Sequence, residues 1–242
     1  MSRTGEEFAG LARQRSSWLI PLAVFFVTAC LSAVVLAYYF APGPPGLGAE
    51  LPLPTDATRP LALNVGETRF RIPANYVLLA SARRGGSLEQ VAMAAMVPDF
   101  RGYSLDAAEE FSANAPSSSV VMLTLKPSPT PITEQDRLDR IYLMQVVDSA
   151  GQAGLFGLKQ YAFRPESGYH SEDLFVGSTE AGPVVLLCDR PDADTPSPNC
   201  MRDTSFQGEL GLSYRFKRAR LAEWQTIDAG IRTLLGGFVA KN

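Results

Sequence analysis

The longest unbroken pattern in the chain is apolar. From Trp18 to Phe40 it reads WLIPLAVFFVTACLSAVVLAYYF, without a charge. No polar face recurs at the helical period, which sets it apart from the stripe of a surface helix. As a helix rising ~1.5 Å per residue it spans roughly 34 Å, enough for a hydrocarbon core of ~30 Å. A helix satisfies every backbone amide within the segment, as lipid requires. Trp18 at one end and Tyr38 and Tyr39 at the other match the aromatic belts at headgroup depth. Pro21 falls in the first turn, where its missing N–H costs nothing.

Beyond residue 60 the pattern shortens and alternates. Residues 61–65 and 68–72 read as a hairpin around Gly66 and Glu67, and 76–80 continues extended. Residues 83–87 read as a turn and 89–97 as a strand, although its alanines also suit a helix. A short helix is expected over 104–113, with Asp106 and Glu109 complementing its N-terminus. A buried strand at 120–125 runs into a proline loop at 126–131. Thr133 is placed to cap a helix whose first turn holds Glu134 and Asp136 and whose stripe is Leu138, Ile141 and Tyr142. Strands are expected at 155–163, 174–178, 184–188, 201–206 and 211–217. In the last, Leu212, Tyr214 and Phe216 alternate with Ser213, Arg215 and Lys217, so one face is wet. A closing helix over 220–235 aligns Leu221, Trp224, Ile227, Ile231, Leu234 and Leu235. Consecutive strands with short turns and few helices predict an α+β domain: a mostly antiparallel sheet with helices packed on one face.

These patterns divide the chain into a short tail (1–17), a transmembrane helix (18–40), a Pro/Gly-rich linker (41–60) and an α+β domain (61–242). The linker holds six prolines, which favour a semi-extended polyproline spacer. Arg3, Arg13 and Arg15 precede the apolar segment, and the first basic residue after it is Arg59. The positive-inside rule then puts the N-terminus in the cytoplasm and the domain outside it, anchored in the inner (cell) membrane. Three alternatives compete, the first being a buried core helix, which almost never lacks a polar face over 23 residues. Val27-Thr28-Ala29-Cys30 is a loose lipobox that would lipidate Cys30, but apolar residues continue for ten positions past it. A cleaved signal peptide would have a shorter apolar region and a small-residue cleavage site.

Charge narrows the function classes. The net charge is -3. Removing the tail's three arginines and two glutamates from the totals leaves 19 basic and 23 acidic residues, or -4. That excludes the basic footprint of a nucleic-acid binder. A single histidine and three cysteines leave little for a metal cluster. Cys188 ends one expected strand and Cys200 begins the next, with a polar, turn-rich loop between them. If the strands pair antiparallel, both sulfurs sit at the mouth of that loop, and an oxidising compartment joins them in a disulfide.

Other chemistry is sparse. There is no nucleophile elbow, Walker motif or H-E-x-x-H, and no cofactor or metal is expected. His170, among Ser171, Glu172 and Asp173, is a candidate base, though a solvated loop histidine explains it as well. Asp189, Asp192 and Asp194 crowd the cysteine loop without the spacing of a calcium site. Arg215, Lys217, Arg218 and Arg220 form the one basic cluster, readable as a wet strand face running into a helix. Pro98, Asp99, Phe100, Arg101 and Tyr103 mix aromatics with opposite charges in a loop, the composition of an interaction patch. A loop that tucks Phe100 and Tyr103 into the core would look the same.

The layout is similar to that of bitopic bacterial envelope proteins, and no stretch singles out a family. It is expected to be a membrane-anchored envelope interaction or assembly module without catalysis, with an envelope protein as partner. A tethered small-ligand binder, or a periplasmic hydrolase using carboxylates or His170, is the alternative.

Overall fold

The computed structural model describes residues 18–40, 50–128, 132–179, 182–192 and 194–240. They fall into two compact units, Met1–Glu50 and Leu51–Asn242. In the first, helix α1 (Leu19–Phe40) is the one helix among the described residues long and apolar enough to cross a membrane. Its described side chains are exposed, Cys30 among them. The Thr28 hydroxyl donates to the Val24 carbonyl and so leaves no unmet donor at that position. The tail arginines and linker residues 41–49 lie outside the described residues.

The second unit begins ten residues earlier than the pattern alone suggests. The Leu53 N–H donates to the Leu78 carbonyl, and Arg83 donates to the Leu53 carbonyl at 2.6 Å. The end of the expected linker is therefore laid against the domain. Strands β1 (Pro60–Val65) and β2 (Thr68–Pro73) form the expected hairpin, with Gly66 at φ 58° in its turn. The expected turn at 83–87 is instead a 3-10 turn (Ala82–Arg84) followed by a short strand, β3 (Gly86–Leu88). Gly85 and Gly86 take φ values of 83° and 92°, open to glycine, and these swing β3 parallel to β1. A 3-10 turn (Ala74–Tyr76) opens the stretch expected to be extended, and after it Val77 is extended and bridges Met93 antiparallel.

The large sheet is antiparallel throughout. Its strands are β4 (Val91–Met96), β5 (Val120–Pro127), β6 (Gln152–Ala153), β7 (Lys159–Ala162), β8 (Glu172–Thr179), β9 (Gly182–Asp189), β10 (Asn199–Phe206) and β11 (Leu210–Lys217). Their order is β4-β5-β11-β10-β9-β8-β7-β6. The strand expected at 155–163 is a hairpin instead. Gly157 and Phe156 take positive φ, so Leu155 and Phe156 stand exposed at its tip, while Lys159–Ala162 pairs with β8 and Phe163 bridges Val146. Three helices join the strands: α2 (Ala108–Ser112), α3 (Glu134–Arg137) and α4 (Trp224–Phe238). Thr133 caps α3 as its sequence predicts, accepting from the Asp136 N–H, and a π turn (Leu138–Tyr142) extends it.

The inner face of the sheet holds the main core. Val91, Met93, Val121, Leu123, Leu125, Leu212, Tyr214 and Phe216 alternate inward and meet Trp224, Ile227, Ile231 and Leu235 of α4. Each fully buried aliphatic side chain contributes roughly 1.5–3 kcal/mol. Two glycines make the packing possible. A Cβ on Gly177 would stand 2.8 Å from the Trp224 ring, and one on Gly230 would overlap Phe100 at 2.0 Å.

Candidate functional site

The outer face of the large sheet is built in two ways. On β9, β8 and β7 it is apolar: Val185, Leu187, Leu174 and Tyr161 pack with Phe163 under Leu138, Tyr142 and Val146 of the α3 segment. On β4, β5, β11 and β10 the outward positions are Ala92, Ala94, Met96, Met122, Thr124, Lys126, Ser213, Gly211, Asp203 and Ser205. Apart from Met96 and Met122 these are small or polar, and among the described residues no helix lies across their centre. The same strands alternate cleanly, burying Leu123, Leu125, Leu212 and Phe206 on the opposite side.

The two halves meet at a seam. Strands β9 and β10 pair only at Cys200↔Cys188 and Met201↔Leu187. Carried two and four residues further, that register would oppose Asp203 to Val185 and Ser205 to Pro183. Instead α3 enters between them. The Val185 N–H donates to Glu134 Oε1 at 2.8 Å, and the Asp203 carbonyl accepts from Arg137 at 3.1 Å. Those are the backbone groups that the next rung would have joined. Pro183 has no N–H to offer a further rung. Its carbonyl, and that of Ser205, face guanidinium donors of Arg202 and Arg232 at 3.4 and 3.5 Å. Side chains thus satisfy the edge that the strands leave open.

Arg202 is the centre of this plug, its side chain 3% exposed. It grips Glu134 with two bonds of 2.7 Å and donates to Asp228 on α4 at 2.5 Å. The Tyr214 hydroxyl donates to the same Asp228 oxygen, and Arg232 reaches that carboxylate at 3.2 Å. Burial opposes the guanidinium charge, but the hydrogen bonds to Glu134 and the surrounding negative field outweigh it and hold the Arg202 pKa above its usual value. Burial likewise pushes the Tyr214 phenol up, keeping it a neutral donor. A cavity of about 570 Å³ opens beside the plug, lined by Lys126, Ser213 and Ser205 of the sheet, Arg137 of α3 and Arg232 of α4.

The other end of the seam is covalent. Cys188 and Cys200 are register partners and their sulfurs are bonded. Around them Asp173 accepts from Arg190 at 2.8 Å and Arg218 at 2.6 Å. Lys217 donates to Asn114, Asn199 and the Ser197 carbonyl, and burial lowers its pKa. Glu172 lies opposite Asp189, and burial, then that neighbour, raises its pKa.

The structure separates most of the residues that the sequence groups. The four cations of the basic cluster go to three places: Arg215 to the outer face, Lys217 and Arg218 to the disulfide end, Arg220 to Glu223. His170 is exposed, its Nδ1 3.0 Å from the Ser167 carbonyl. Asp189 and Asp192 accept backbone N–H groups of their own loop, and the described residues contain no cluster suited to a metal. In the 98–103 loop Phe100 is turned into the core against Gly230, which removes it from the surface patch. Pro98, Asp99 and Arg101 stay exposed, Arg101 beside Asp106 at 3.5 Å. Tyr103 is half-buried with its ring edge-on to Phe111 at 5.4 Å. Behind it a groove of about 550 Å³ runs between Pro52, Leu78, Phe111, Val120 and Met122 at the β4–β5 end of the open face.

No family model matches the sequence, and no curated protein sequence matches it either. Among solved structures, an immunity protein of the Stenotrophomonas maltophilia type IV secretion system superposes with a TM-score of 0.53 at 17% identity, over 80% of this chain and 100% of that one. The Neisseria meningitidis iron-regulated outer membrane lipoprotein FrpD superposes with a TM-score of 0.49 at 10% identity, over 79% of this chain and 98% of that one. At such identity the likeness to the immunity protein is one of fold.

Proposed function

We propose that this chain is a membrane-tethered interaction module of the cell envelope, anchored by residues 18–40 with its N-terminus cytoplasmic, which acts by holding a protein partner rather than by catalysis. The observation that carries this reading is the half-covered sheet. A domain that roofs one half of a sheet face and leaves the other half open, between an apolar groove and a basic cavity, has a surface formed for contact. The apolar helix supports the anchor, and the Cys188–Cys200 bond supports a domain in an oxidising compartment. The solved immunity protein shows a protein of this fold in a secretion system, in keeping with a binding role. His170 gives the hydrolase alternative little, since its ring meets a backbone oxygen.

The test pairs topology with redox state. A reporter that works only outside the cytoplasm, fused after Asn242, is expected to be active. Thiol labelling of unreduced, denatured protein from its native membrane is expected to leave Cys188 and Cys200 unmodified. Activity of a cytoplasmic reporter alone, or free thiols at both positions, would contradict the reading.

A further inference from the structure

Resting on the reading of a protein-binding module, we infer that the open outer face of β4, β5, β11 and β10 receives an amphipathic helix of the partner, with an apolar side chain in the groove at Met122 and a carboxylate at Lys126.

Three features of the face converge on that occupant. The first is shape. Ala92, Thr124, Gly211 and Ser213 project little from the sheet, so a helix can lie close to them, as the α3 segment does on the neighbouring half. The second is charge. Among the described residues, Lys126 is exposed and makes no ion pair, and Arg215 makes none either, its guanidinium meeting the Met122 sulfur at 3.0 Å. At the seam Arg137 and Arg232 also line the rim, each paired, with Asp203 at 3.8 Å and Asp228 at 3.2 Å, so the surplus positive charge rests on Lys126 and Arg215. The domain as a whole is acidic, so this face is locally opposite in sign and suits carboxylates.

The third feature is spacing. Met122 and Lys126 lie on the same side of β5, four residues apart, or roughly 13 Å along the strand. Two turns of helix cover roughly 11 Å, so one helix can carry an apolar residue and, seven positions on, an aspartate or glutamate that reach both ends. Tyr103 and Phe111 flank the apolar end, which makes Tyr103 the member of the sequence-predicted patch that takes part. An extended strand would need an unpaired ladder edge. The edge open at the seam already has its carbonyls and Val185 N–H satisfied by Arg137, Arg202, Arg232 and Glu134.

The experiment places a photo-crosslinking residue at Ser213, at Ser205, or at the control position Gln152 on the far edge, in the full chain in its own membrane. The crosslinked peptide is then sequenced. The expected result is one protein adduct from Ser213 and Ser205, through a helix-forming segment with an apolar and an acidic residue about two turns apart. Lys126→Glu and Met122→Asp should each lower the yield about tenfold, and Lys159→Glu should leave it unchanged. Lys126→Glu alters an exposed side chain, so it reads binding even where Met122→Asp disturbs folding. Adducts to lipid, to a second copy, to the chain itself or to a peptide without that pattern would overturn the inference. Protein adducts from Gln152 alone would also overturn it while leaving the binding-module reading intact. No protein adduct from any of the three positions would remove both.

Discussion

The two halves of the outer sheet face share one backbone architecture and differ in what their side chains ask for. On the β9–β8–β7 half, Leu174, Val185, Leu187 and Tyr161 would expose a continuous apolar surface, and the chain answers with its own helix. On the β10–β11–β5–β4 half, serine, threonine, glycine and lysine tolerate water, and among the described residues no helix covers their centre. The difference shows that cover is set by side-chain chemistry and not by the sheet. It also shows what the open half is poised for. A face that water can wet is stable alone, yet its apolar groove and unpaired cations give a partner something to gain.

The boundary between the halves is where the comparison can be broken most sharply. Arg202→Leu would leave Glu134 and Asp228 buried without their shared counter-charge, and a loss of about 3–5 kcal/mol is expected in urea unfolding. Little or no loss would mean that the plug does not hold the seam. Next in size is the covered half. Leu174→Ala removes a fully buried side chain beneath the α3 segment and should cost about 3 kcal/mol by the same measurement. On the open half, Ser213→Ala changes a side chain that packs against nothing in the core, and the midpoint should stay within about 0.5 kcal/mol of the parent. A large loss there would show that the open face is structural.

The smallest effect sharpens the disulfide end of the seam. Burial and Asp189 raise the Glu172 pKa, so the folded state favours the protonated acid. The stability this gives is present below the ordinary carboxylate range and is lost as pH rises through the raised value. Glu172→Gln should therefore raise the melting temperature at neutral pH and lose that advantage on acidification. Because Glu172 is only partly buried, solvent screening holds the gain to roughly a few tenths of a kcal/mol. An equal gain at every pH would assign the effect to something other than charge.

Much of the framework is legible in the residues. The apolar run from Trp18 to Phe40, the Gly66 hairpin, the Thr133 cap, the alternation at 211–216 and the stripe of the closing helix are local signals, and the structure follows each, while Lys217, expected on the wet face, is buried. Cys188 and Cys200 could be paired on paper because they bound one loop. What escaped the sequence is non-local. Arg202 meets Glu134 across 68 residues and Asp228 across 26, and nothing near any of the three marks it as buried. The one local hint was a charged residue at an inward position of an alternating strand, Cys200, Arg202, Thr204 and Phe206. The open face was hidden for a related reason. Thr124, Ser213 and Ser205 each read as ordinary wet positions, and only the strand order makes them neighbours. Phe100 misled in the opposite way, since an aromatic between Asp99 and Arg101 looks like surface while its ring fills the space left by Gly230.

The account turns on whether the open half is occupied where the protein works, and the chain carries its own probes. Lys126 lies on the open half and Lys159 on the far side of the covered half, and both are exposed. Amine-reactive labelling of the two can be compared between purified protein and native membranes. The account predicts that both label in the purified protein, and that in membranes Lys126 is protected while Lys159 is not. Equal labelling of Lys126 in the two settings would contradict it.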